Sequence, residues 1–208
     1  MSLPTVGKET LGTFVDAVYA IAMTILALEI PGELNETAEL QQFTSLLLDY
    51  ALSFIVLFAL WMQHRRIINH ARVERHSLVW LHGLVLLMVC LIPRATTLVF
   101  SYGGDVVLSQ LHESLWEGEW SRAEIVDLFY VSLVAFADLL LLLLARLSLQ
   151  GGNAAAAHVW RAKRTMSLVV IGVLGISFLL PVENRLVLLI LPLVLLAEHR
   201  LAASSLAD

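Results

Sequence analysis

FVDAVYAIAMTILALEI, residues 14–30, decides the fold. It is apolar enough to enter a bilayer, yet it carries Asp16 near one end, Thr24 in the middle and Glu29 at the other end. Read as a helix, it places Ile21, Ile25 and Leu28 at i, i+4 and i+7, on one face. A carboxylate at the centre of a membrane helix costs roughly 2.5 to 3.5 kcal/mol, and less near the ends, so Asp16 should face protein or water rather than lipid. Two arrangements satisfy that demand. Either Asp16 joins a polar network inside the protein, or it sits at headgroup level while the Ile/Leu stripe packs on a neighbouring helix.

The rest of the chain fits a membrane setting. Of 208 residues, 59% are hydrophobic and only 15% are charged; a soluble domain sits near about 45–50% apolar and about 25% charged. The single cysteine, Cys90, lies within an apolar run, so there is no disulfide framework and no Cys/His metal motif. No cleavable signal peptide is expected, because no small-x-small site follows the first apolar run. Six apolar segments approach the ~20 residues that cross a ~30 Å hydrocarbon core. They fall at about 14–30, 46–63, 77–100, 125–147, 165–181 and 183–200, and residues 1–208 read as one six-span domain.

The loops set the orientation. Lys8, Arg65, Arg66, Arg72, Arg75, Arg146, Arg161, Lys163, Arg164 and Arg200 fall on one side of the six spans. Arg94, Arg122 and Arg185 fall on the other, with Glu33, Glu36, Glu39, Asp105, Glu113, Glu117, Glu119 and Glu124. The positive-inside rule then puts both termini in the cytoplasm. Between the third and fourth spans, Val107, Leu108, Leu111 and Leu115 form a helical stripe beside Trp116 and Trp120. This is either a short helix lying at the outer interface or a loop with its tryptophans at headgroup level.

The chemistry-bearing residues are few. His64, His70, His76 and His82 recur every six residues, but six residues turn a helix by about 600°, so the four cannot share a face. Metal-binding helical pairs prefer i, i+4, and no metal site is expected. His70 and His76 belong to a basic loop. His64 and His82 flank that loop on consecutive antiparallel helices, where Trp61 and Asp16 lie at similar depth. Asp, indole N–H and two imidazoles can satisfy one another where water is scarce, primarily as a structural network and secondarily as a pH-sensitive one. Asp138 lies mid-way along the fourth span, either as a functional carboxylate, hydrogen-bonded to a neighbouring helix, or protonated and silent. No catalytic triad, carboxylate pair, HExxH or phosphate loop is present, so the chain is not expected to be an enzyme or to need a cofactor. The TVGYG filter is absent, so any pore must select by other means.

The first span also resembles the first helix of the transmembrane protein 175 potassium channels, including their bacterial six-helix members. That helix carries Arg-x-x-x-Phe-Ser-Asp followed by a phrase like AIAITLLVLEI; Phe14 and Asp16 match, and Ala20 to Ile30 follow the phrase closely. The resemblance continues through Tyr50, Ser53, Phe54, Trp61 and His64, and through His82 to Pro93. It implies a homotetramer with four copies of the first helix around a central pore. Ile21 would form the constriction, with Ile25 and Leu28 as further apolar rings and Thr24 favouring K⁺ over Na⁺. Glu29 and Glu33 would line the outer mouth, and Phe14, Asp16, Trp61, His64 and His82 would form the network holding the pore helix. The family's Arg is Thr10 here and its Ser is Val15, so Asp16 must find partners among Trp61, His64, His82 or Lys8.

The expectation is therefore an all-α, multi-pass protein of the bacterial cytoplasmic membrane that passes K⁺ passively through a hydrophobic constriction, with lipid and its own copies as partners and no nucleic acid. Two rivals share the composition. One is a proton-coupled carrier using Asp16, His64 and Asp138; the other is a non-conducting scaffold in which Ile21, Ile25 and Leu28 only pack.

Overall fold

A computed structural model of the chain describes residues 7–28, 37–71, 76–103, 122–149 and 154–179. Every element among them is an α-helix: α1 (Lys8–Leu28), α2 (Thr37–His70), α3 (His76–Gly103), α4 (Arg122–Leu149) and α5 (Ala154–Leu179). Among the described residues, four segments are long and apolar enough to cross a membrane: Lys8–Leu28, Tyr50–His70, Leu78–Val99 and Leu128–Leu149. α5 adds an apolar half beyond Thr165. The chain is an all-α, multi-pass membrane protein. The sixth span expected at 183–200, the stripe at 105–120 and Glu29, Glu33 and Glu36 lie outside the described residues.

Helix ends differ from the apolar runs in ways that matter for the site. α2 contains neither Gly nor Pro, so nothing halts it where hydropathy falls, and it continues through Arg65 and Arg66 to His70. Those arginines are helical residues, not loop residues. His70 likewise ends the helix, its ring Nδ1 2.9 Å from the Arg66 carbonyl, and His76 begins α3. α5 starts at Ala154 rather than near 165, because the run Ala154–Ala157 is a strong helix former. Lys163 and its neighbours therefore lie within a helix.

α2 is the hub, packing on all four other helices, while α3 and α4 make the most extensive pairing and α1 packs chiefly on α2 and α3. Lipid tails are as apolar as leucine, so helices associate in a membrane through close packing and interhelical hydrogen bonds rather than through apolar burial. The core shows both. Buried Ala59, Ala95, Ala137 and Ala145 let backbones approach among Leu57, Leu60, Val89, Ile92, Val134, Leu141 and Leu144. Buried Ser53 joins three helices, accepting from Thr96 Oγ1 at 3.2 Å and from the Tyr130 hydroxyl at 3.4 Å.

Candidate functional site

α1 has two faces, and the spacing of its residues explains both. Leu11, Val15, Tyr19, Ala22 and Leu26 recur every three or four residues and are buried against α2 and α3. Phe14, Ile21, Ile25 and Leu28 form the opposite, exposed stripe, with Ile21 59% and Leu28 79% accessible. Thr24 lies on that exposed side, its hydroxyl donating to the Ala20 carbonyl at 2.8 Å. With its only donor spent inside the helix, the Thr24 hydroxyl has only acceptor capacity left to offer on the open face.

Between the two faces stands Asp16, half-buried. Trp61 Nε1 of α2 donates to Asp16 Oδ1 at 2.8 Å, and Arg65 Nε approaches the same oxygen at 3.3 Å. Trp61 and Arg65 are i, i+4 on α2, so one face of that helix delivers both donors. The Arg65 guanidinium crosses α1 over Gly12: a Cβ there would strike Arg65 Nη1. Lys8 is not an Asp16 partner. Its Nζ caps the end of α2, donating to the Asn69 carbonyl at 2.6 Å and the Ala71 carbonyl at 3.2 Å, where helix carbonyls lack intrahelical donors.

His64 and His82 are also brought together. His64 Nε2 lies 2.7 Å from His82 Nδ1, both side chains are buried, and the rings stack with centroids 5.0 Å apart. One nitrogen of this contact carries the proton and the other accepts it; two protons would set donor against donor. The Tyr19 ring meets His64 edge-on at 5.9 Å, so the imidazole pair supports the buried face of α1. Asp16 is held by Trp61 and Arg65, and His64 by His82.

Phe14 stands apart from this network. It is 58% exposed, because two residues, about 200° of helix, separate it from Asp16. Arg65 is the partner that sequence reasoning missed, since it was assigned to a loop; its i, i+4 spacing from Trp61 was the available signal. Asp138 is almost wholly buried and pairs with Lys163 of α5, not with Asp16 or His64. Among the described residues no three His, Cys, Asp or Glu side chains gather as metal ligands.

Residues 10–93, which run from α1 to Pro93 of α3, match the family model described as "Endosomal/lysosomal potassium channel TMEM175". The match covers less than half of the chain. The matched segment contains the open face of α1, the Asp16–Trp61 bond and the His64–His82 pair. The family is one of membrane channels and not of enzymes. Across most of the chain the fold is similar to the crystal structure of a lysosomal potassium-selective channel TMEM175 homolog from Chamaesiphon Minutus. The TM-score is 0.72 and the identity 19%, over 91% of this chain and 96% of that one. At that identity the likeness concerns the fold. A comparison with curated protein sequences finds no match.

Proposed function

We propose that the chain is the subunit of a passive, weakly selective potassium channel of the bacterial cytoplasmic membrane. In this reading both termini are cytoplasmic, and a homotetramer gathers four copies of α1 around a central pore. Ile21 forms the narrow ring, with Ile25 and Leu28 as further apolar rings, and Thr24 offers an acceptor oxygen beside the constriction. Glu29 and Glu33 raise the local cation concentration at the outer mouth. An apolar ring penalises the ion that holds its water more tightly, and that ion is sodium, so a modest potassium preference needs no carbonyl filter.

The observation that carries this reading is the combination of an open Ile21–Thr24–Ile25–Leu28 face with a TMEM175 match over the same helix. An exposed apolar face alone is not distinctive. α3 exposes Leu84, Leu87 and Leu91, and α4 exposes Phe136, Leu139 and Leu143, as lipid-facing helices do. That parallel favours the scaffold as the second reading. The proton-coupled carrier has less support, because Asp138 is paired with Lys163 on α5 and so does not extend a relay from Asp16 or His64.

Ile21→Asn separates the two readings. In a pore it wets the constriction, so conductance in reconstituted bilayers rises or the K⁺/Na⁺ preference falls while the oligomer stays folded. In a scaffold it gives no current and only lowers stability.

A further inference from the structure

A second deeply buried polar cluster lies away from α1. Lys163 of α5 is fully buried, Asp138 of α4 is 1% exposed and Gln63 of α2 is 4% exposed. Lys163 Nζ donates to Asp138 Oδ1 and, at 2.6 Å, to Gln63 Oε1. Three helices thus meet at one ammonium. An isolated charge at this depth is costly, and the pair is tolerable only because each charge answers the other and the amide oxygen takes a second N–H.

The position of Gln63 on α2 gives the cluster a reach beyond its own helices. Trp61, His64 and Arg65 bond or approach toward α1 and α3, while Gln63 accepts from Lys163 of α5, which also holds Asp138 of α4. Two residues from Trp61, Gln63 is turned by about 200°, onto the far side of α2. One stretch of α2, residues 61–65, is therefore gripped by polar groups on opposite sides at one depth. A rotation of α2 that frees Gln63 also carries Trp61 and Arg65 away from Asp16.

We propose that Lys163, Asp138 and Gln63 form an interhelical lock that fixes the rotation of α2, with Lys163 as a positioning residue for the Trp61–Asp16 bond that holds α1. The lock itself does not depend on the channel reading; only its consequence for conduction rests on that reading. It also accounts for Asp138 as a carboxylate neutralised for architecture.

The test uses the full chain in lipid nanodiscs and three variants: Lys163→Met, the apolar double Asp138→Leu/Lys163→Met, and the charge-swapped double Asp138→Lys/Lys163→Asp. Two quantities are read, the thermal unfolding midpoint and the ¹⁵N indole resonance of Trp61, assigned by its loss in Trp61→Phe. Lys163→Met strands a buried carboxylate and lowers Tm by roughly 5–10 °C. The apolar double recovers most of that Tm but leaves Gln63 without its partner, so the Trp61 resonance moves and its solvent exchange quickens. The swapped double restores both, because the Gln63 amide can turn its NH₂ toward Asp at 163. An unmoved Trp61 resonance in the apolar double, or Lys163→Met melting with the wild type, overturns the proposal. Neither readout requires a current, so a wild type that conducts nothing refutes the channel reading and leaves this test intact.

Discussion

At Asp16 two donors compete for one oxygen, and their environments rank them. The Arg65–Asp16 ion pair is about a third exposed on both sides, and pairs of that kind contribute roughly 0–1 kcal/mol. The Trp61 N–H bond is shorter and tied to a ring packed against the core; interhelical bonds in membranes average about 0.6 and reach about 1.7 kcal/mol. Trp61→Phe should therefore cost about 1 kcal/mol or slightly more, and Arg65→Met less, when unfolding is followed by denaturant titration in micelles. Equal losses would contradict this ranking of the two donors. The demand for a protein partner was readable at Asp16 from the cost of a carboxylate in an apolar run, and the indole lay within reach. The guanidinium was masked, because hydropathy ends the second span at 63 while the Gly/Pro-free helix runs on through Arg65, and only its i, i+4 spacing from Trp61 pointed to it.

Among the elements, α1 is held by a bond at Asp16, by the Lys8 cap on α2 and by a close approach at Gly12. Gly12→Ala displaces only the flexible end of Arg65, so it should cost under about 1 kcal/mol. Gly12→Leu also meets the Ile68 side chain, whose Cγ2 lies 4.0 Å from an added Cβ, and should cost about 1–3 kcal/mol by overpacking. Comparing the two by thermal unfolding checks the close approach, and similar small losses would contradict it. The imidazole pair joins α2 to α3 by a different logic. His64→Leu and His82→Leu each break the same buried contact, so the loss in the double variant should be smaller than the sum of the two single losses. Strictly additive losses would argue against a coupled pair. The apolar face of α1 was legible because helical periodicity survives in any packing. The partner of Asp138 was not, because Lys163 lies on another helix and stood outside a fifth span drawn from 165. Alanine propensity, rather than hydropathy, carries that helix back to Ala154.

For the whole molecule, α2 is the centre and α1 the edge. Among the described residues four helices pack on α2, and its residues 61–65 bond to α1, α3 and α5, reaching α4 through Lys163. Among the described residues, α1 leaves its Ile21–Leu28 face exposed. A face of that kind is satisfied by lipid or by copies of itself around an axis. The channel account requires the second. The most direct measurement is the reversal potential of the reconstituted protein with potassium on one side of the bilayer and sodium on the other. The account predicts a current that reverses toward the potassium equilibrium potential and loses that bias in Ile21→Asn. A folded oligomer giving no current above protein-free bilayers, or a current reversing at zero in the wild type, would contradict it.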